Sequence, residues 1–279
     1  MTGDALKSVT DKSEFVALGR GVDATQRLED DRIEAGLQAI GDLADRARKK
    51  GATDVFAIAT SAVRDAVNGP DFLQELVART GIDVRLVTGD EEALFAVRGA
   101  MLGMDTAQQR ILLMDLGGGS GQIVGVDNGA VAWERSLQIG SNRMTERFIH
   151  SDPPVEEEMD VLRSWLATQF ADLPRYVPDK LVVTGGTASH VASLAGRKGK
   201  RIALAQHALE TVTTAVVQLP VRSLVAKYGI RPERAHVLPA GVITLQAVVD
   251  FYGKPPIVVT RTGVREGAIL ERIDARGAL

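Results

Sequence analysis

Ile111-Leu112-Leu113-Met114-Asp115-Leu116-Gly117-Gly118-Gly119-Ser120-Gly121-Gln122-Ile123-Val124-Gly125-Val126 is the stretch around which the chain is organised. An apolar run reaches a carboxylate, three glycines and a hydroxyl, and an alternating segment follows, which predicts strand, tight turn and strand. Glycine lacks the Cβ that restricts φ, so successive backbone N–H groups in such a turn can converge on one anion, and a phosphate suits that cradle. Asp115, at the end of the first strand, adds a hard oxygen that can hold magnesium directly or through water. Taken alone, the motif also fits a glycine-rich hairpin with a solvated aspartate, because short glycine motifs recur by chance.

With 279 residues the chain has room for two domains with their own cores, and a hydrophobic content of 45% is ordinary for a globular protein. A net charge of −3 supplies no global positive field for nucleic acid or a membrane surface, so an anionic ligand must be held locally. The absence of cysteine excludes disulfides, thiol catalysis and thiolate metal sites. His150, His190, His207 and His236 are scattered without metal-ligand spacing. The opening residues lack the apolar core of a signal peptide, and no run reaches the roughly 18 apolar residues of a membrane span. A cytoplasmic location is the expectation.

Around the central stretch the chain alternates strands and helices. Glu14–Gly19 reads as a short strand, and Ile33, Leu37, Ile40, Leu43 and Ala47 mark one face of a helix that ends at Gly51. Asp54–Ala59 reads as a buried strand running into Thr60, Ser61 and Arg64, where hydroxyls and a guanidinium at a helix start suit an anion as well as an ordinary cap. After a helix over 71–79 and a strand over 82–87, Thr88-Gly89-Asp90-Glu91-Glu92 opens a helix to about Met101. Acids in a first turn complement the helix dipole. A strand end followed by a helix start is also where open α/β sheets put their chemistry. The polar segment 103–110 reads as a domain boundary, and Asp127-Asn128-Gly129 as a hairpin turn into a strand over 131–137. Helices follow over 140–148 and from the acids after Asp152-Pro153. Lys180–Thr184, Gly185, Gly186 and Thr187 repeat the strand, glycine and hydroxyl pattern before a helix over 188–194. Two such turns can hold a chain of phosphates between domains. Arg197, Lys198, Lys200 and Arg201 form a basic loop, followed by a helical stretch over 207–227 interrupted near Pro220, a buried helix over 239–252, a strand over 257–260 and a final helix over 265–273.

The ordered motifs ATSAVRDAVN (59–68), TGDEEAL (88–94), MDLGGGS (114–120), SLQIGSNRMTERF (136–148), VTGGTASHVASLA (183–195), RPERAHVLPAG (231–241) and GVREGAIL (263–270) closely resemble the exopolyphosphatase and guanosine pentaphosphate phosphohydrolase family. The resemblance runs from about Phe15 to the end. It implies an α/β fold of the two-domain actin, sugar kinase and Hsp70 superfamily, ribonuclease H-like in each domain, with a phosphate cleft between them. The expected domains are a first phosphatase subdomain over 1–104, completed by a helix over 265–279, and a second over 105–264. The family begins with a strand and a DxGSNS-type turn before the segment matching Glu14–Gly21. No counterpart stands here, so the first domain is expected to lack its N-terminal hairpin, and the natural start is expected upstream of Met1.

The resemblance also implies roles. Glu92 matches the catalytic glutamate that activates water, and Asp115 the acid linked to magnesium. Gly117, Gly118, Gly119 and Ser120, with Gly185, Gly186 and Thr187, match the phosphate loops, and Arg64 falls in the segment near bound phosphate. Where family members commonly carry an acid two residues after the serine of DxGGGS, this chain has Gln122, which brings no charge to the metal. The implied activity is Mg2+-dependent release of orthophosphate from polyphosphate or guanosine pentaphosphate, with no nucleic acid or membrane partner and a homodimer left open. The alternatives are a non-catalytic polyphosphate or nucleotide sensor and an ATP-dependent kinase of the same superfamily. Glu92 argues for hydrolysis; Gln122 and the missing hairpin argue for a sensor.

Overall fold

The computed structural model describes residues 6–277. Contacts divide the chain into two compact units, the first ending at Gly89 and the second beginning at Asp90. The polar segment 103–110, where sequence suggested a boundary, lies inside the second unit.

In the first unit, α1 (Val22–Thr25) and α2 (Asp30–Lys49) precede β1 (Phe56–Ala59), α3 (Ser61–Arg64), α4 (Gly69–Thr80) and β2 (Asp83–Leu86). Asp30 and Asp31 in the first turn of α2, and Arg46, Arg48 and Lys49 in its last, complement the helix dipole at both ends. β1 and β2 form a two-stranded parallel sheet. Leu37, Phe72 and Leu76 pack with Val22, Leu28 and Val63 in its core. The strand expected over Glu14–Gly19 is not formed: residues 11–17 have no regular structure and 18–21 turn. A strand of that length persists only beside a partner. Here the Ala17 carbonyl accepts from the Arg20 N–H in a turn, and the Val16 carbonyl from the Arg32 guanidinium.

The second unit opens with α5 (Gly89–Ala100), most of which it contains, and then β3 (Arg110–Leu116), β4 (Gly121–Asp127) and β5 (Ala130–Leu137). Next come α6 (Ser141–Phe148), α7 (Glu156–Phe170), β6 (Lys180–Gly185), α8 (Gly186–Leu194), β7 (Arg201–Leu204), α9 (Gln206–Gln218) and α10 (Val221–Tyr228). The chain closes with α11 (Pro232–Phe251), β8 (Ile257–Thr260) and α12 (Val264–Gly277). The sheet order is β5-β4-β3-β6-β8-β7. β3, β4 and β5 pair antiparallel, while β6 and β8 follow β3 in parallel. This is the ribonuclease H-like order that the resemblance implied, with β7 added antiparallel at the edge.

β3 is apolar from Ile111 to Met114 because helices cover both of its faces. Strand alternation sends Leu112, Met114 and Leu116 into the larger core with Leu162, Leu166, Val191, Leu245 and Val248. Ile111 and Leu113 meet Ala93, Ala96 and Ala100 of α5 on the other face. Two elements depart from expectation. β7 occupies the end of the basic loop, with Ile202 and Leu204 alternating inward. α11 begins at Pro232 and runs through Pro239, because Leu238, Val242, Leu245 and Val249 are buried around it and outweigh the roughly 3 kcal/mol that an internal proline costs.

Candidate active site

The period of two that sorts the core also builds the site. Asp115 shares the α5-facing side of β3 with Ile111 and Leu113, and its ladder partners are Gln122 on β4 and Thr184 on β6. Ser136 on β5 stands opposite Gln122. A polar row, Ser136, Gln122, Asp115 and Thr184, therefore crosses the ends of four strands on an otherwise apolar face. Glu92 lies in the first turn of α5, one turn before Ala96, so it continues the inward stripe of Ala93, Ala96 and Ala100 and is only 7% exposed. Glu266 lies in the first turn of α12, where it accepts from the Gly263 N–H at 2.8 Å. α12 crosses α5 at glycines. A Cβ at Gly99 would lie 1.9 Å from the Gly263 carbonyl oxygen, and one at Gly267 2.0 Å from that of Phe95.

These placements crowd negative charge. Burial, then the charge of Glu92, then that of Glu266 raise the Asp115 carboxyl from its usual 3.8 to about 7. Among the described residues no donor hydrogen-bonds to it. Gln122 is fully buried; its Nε2 donates to the Ser120 hydroxyl at 3.0 Å, while its Oε1 has no donor.

The loop between β3 and β4 is fixed by α6. The Ser141 N–H donates to the Gly117 carbonyl at 2.9 Å, and the Asn142 N–H to that of Gly118 at 2.9 Å. First-turn donors that a helix leaves unsatisfied thus take up the loop's carbonyls. Gly140 makes the approach possible: a Cβ there would lie 2.3 Å from both the carbonyl carbon and oxygen of Gly118. Gly140→Ala is therefore expected to displace the loop and lower kcat/KM about tenfold, with a circular-dichroism spectrum like the parent's. An unchanged kcat/KM would mean that the loop geometry is not used.

Gly117 and Gly118 line a cavity of about 60 Å³ together with Ser141, Gly186, Thr187, His190 and Arg234. His190 Nδ1 lies 2.7 Å from the Gly186 carbonyl oxygen. Its pKa is lowered by burial, against that bond, and further by the charge of Arg234. The two glycine turns singled out in the sequence thus meet at one small polar cavity.

The Ppx/GppA phosphatase family model matches residues 2–275. The chain belongs to the Ppx/GppA phosphatase family. Exopolyphosphatase 2 of Mycobacterium tuberculosis is 32% identical over 257 residues, covering 86% of this chain and 80% of that protein. The solved Ppx/GppA family member of Aquifex aeolicus is 25% identical with a TM-score of 0.77, over 94% of this chain and 87% of the other. An exopolyphosphatase structure from Cytophaga hutchinsonii, at 21% identity, agrees in fold with a TM-score of 0.87 over 93% of this chain and 88% of that one. The family is one of hydrolases, with relatives named as exopolyphosphatases, which cleave phosphoric anhydride bonds.

Within this Ppx/GppA chain, Glu92, Asp115, Gly117 to Ser120 and Gly185 to Thr187 belong to the second unit, whereas Arg64 ends α3 in the first and donates to the Val87 carbonyl at 2.8 Å. Glu266, Arg143, His190 and Arg234 were not singled out by sequence. Their motifs carried the family resemblance without a role for these side chains, and the neighbours that give them meaning are far away in the chain. The donor set fits a hard divalent cation: Asp115 offers a carboxylate, and the Gln122 Oε1 beside it is a buried oxygen without a donor. Among the described residues no three His, Asp or Glu side chains cluster as ligands. Such a sparse set suits a cation that keeps water and phosphate oxygens in its shell.

Proposed function

We propose that this chain removes the terminal phosphoryl group of inorganic polyphosphate. The observation that carries the reading is the buried Glu92 carboxylate on the same face as Asp115, at the strand end that leads into the pinned glycine loop. In this reading Glu92 accepts a proton from water, the water oxygen bonds to the terminal phosphorus, and the bridging P–O bond breaks. Orthophosphate and a chain one unit shorter leave. Because the transition state is loose, positioning and aimed donors contribute most of the catalysis. Asp115 and Gln122 would hold magnesium, which supplies positive charge against the phosphate oxygens when bound.

The cavity favours polyphosphate over guanosine pentaphosphate. Glycines, hydroxyls, His190 and Arg234 line it together with Leu116, Val237 and Leu238, with no tyrosine, tryptophan or phenylalanine on which a base could stack. Release of phosphate from polyphosphate and from guanosine pentaphosphate, with and without magnesium, tests the reading. Magnesium-dependent release from polyphosphate is expected, and release from neither substrate overturns it.

Gln122→Glu is expected to lower the magnesium concentration for half-maximal activity severalfold, because a carboxylate replaces an amide opposite Asp115. Magnesium should also raise the variant's melting temperature more than the parent's. An unchanged midpoint in both titrations would put Gln122 outside the cation's reach.

A further inference from the structure

We infer that Arg143 is a positioning residue that sets the direction of the glycine-loop N–H groups without touching the substrate, an inference that rests on the phosphohydrolase reading above. In a trans peptide the C=O and the next N–H point in opposite directions. Pinning the carbonyls of Gly117, Gly118 and Gly119 towards α6 therefore aims the N–H groups of Gly118, Gly119 and Ser120 the other way. Glycines do not enforce such an orientation themselves, because without a Cβ each peptide plane can flip. The first two carbonyls are pinned by helix N–H groups, those of Ser141 and Asn142, at 2.9 Å each. The third receives only a long bond of 3.3 Å from the Gly140 N–H. Arg143 supplies the missing one: its Nε donates to the Gly119 carbonyl at 2.9 Å, and its Nη1 to Gln138 Oε1 at 3.3 Å.

The guanidinium is an expensive group to place there. Arg143 is 7% exposed, and a cation is rarely buried this far unless it is paired or hydrogen-bonded. A charge-assisted bond is roughly twice as strong as a neutral one, which suits a donor that must hold the peptide between Gly119 and Ser120 against flipping. The Ser120 N–H then stands as a preset donor at the end of the loop, next to the residue whose hydroxyl accepts from Gln122. Neither Arg143 nor Gln138 lines the small cavity between the two glycine turns, so the arginine acts through the loop.

The test compares the parent with Arg143→Met and Arg143→Lys, using inorganic phosphate as the probe and polyphosphate as the substrate. For Arg143→Met, phosphate affinity and kcat/KM per folded molecule are expected to fall about tenfold, and the Ser120 amide resonance should no longer shift when phosphate is added. Arg143→Lys keeps a cation within reach of the Gly119 carbonyl and should recover both quantities to within about threefold of the parent. The inference is overturned if the folded Met variant keeps phosphate affinity and turnover within twofold of the parent, or if Lys is no better than Met. Should the Met variant not fold, Arg143→Gln, which carries no charge, takes its place: a weakened phosphate response at Ser120 supports the inference, and a response identical to the parent's overturns it. A parent that releases no phosphate from polyphosphate overturns the hydrolase reading and this inference with it, whereas an active parent matched by Arg143→Met overturns the inference alone.

Discussion

Glu92→Gln is expected to lower kcat for phosphate release by about 10²- to 10⁴-fold, the usual contribution of a general base, while polyphosphate still binds. The substitution keeps the side chain's size, so the packing of α5 through Ala93, Ala96 and Ala100 on β3 should persist. What it removes is the group proposed to take the proton from water. It also removes one of the two negative charges that hold the Asp115 carboxyl high, so Asp115 ionises more readily in the variant. A metal-binding role for Glu92 would instead weaken magnesium binding on substitution. Phosphate-release kinetics and calorimetric binding of polyphosphate, measured on the same preparation, separate the two. Turnover at the parent's rate would reduce Glu92 to an acid that complements the α5 dipole.

The sequence made the centre of this site legible because its signals are local. The run from Ile111 to Met114 is apolar on both faces, which only a covered strand tolerates, and the glycines after Asp115 and Leu116 leave a tight turn as the continuation. Glu92 was told from Glu91 only by the family resemblance, since both acids precede a buried residue by one turn, Phe95 for Glu91 and Ala96 for Glu92. Both glycine turns were visible as strand ends. Their meeting at one cavity depends on β3 and β6 being ladder partners, and that is a fact of topology.

What escaped was what depends on distant neighbours. Arg143 reads as one more cation in SNRMTERF, and it is the approach of the Gly119 carbonyl that ties it to the glycine loop. Glu266 reads as a helix-start acid, and it does accept from the Gly263 N–H; its pressure on Asp115 comes from the glycine crossing of α12 over α5. The segment Glu14–Gly19 has strand-forming residues, yet the backbone carbonyls of Val16 and Ala17 find partners in an arginine and a turn. Propensity yielded to the available partners. At Pro239 the reverse occurred: a strong local signal for a helix start was overridden by burial along α11.

Asp115→Asn is expected to stabilise the protein above neutral pH while abolishing magnesium-dependent activity. Asp115 is buried, lacks a hydrogen-bond donor among the described residues and faces the charges of Glu92 and Glu266, which together raise its pKa from 3.8 to about 7. Between those two values the folded chain keeps the Asp115 proton that the unfolded chain has released. Stability therefore falls as pH rises through this window and levels off above about 7. At roughly 1.4 kcal/mol per pKa unit, the shift corresponds to a loss of up to about 4 kcal/mol. Asparagine carries no charge at any of these pH values, and its amide can donate to the carboxylates that repel aspartate. In metal-free buffer the variant should match the parent near pH 4 and exceed it by as much as about 4 kcal/mol at pH 8. Added magnesium should close the gap by stabilising only the parent, whose carboxylate it neutralises. Urea unfolding of both proteins at pH 4, 6 and 8, with EDTA and then with magnesium, measures all of this. Parallel stability curves for parent and variant would mean that Asp115 is not held under electrostatic pressure, and the case for a cation beside it would lose its driving force.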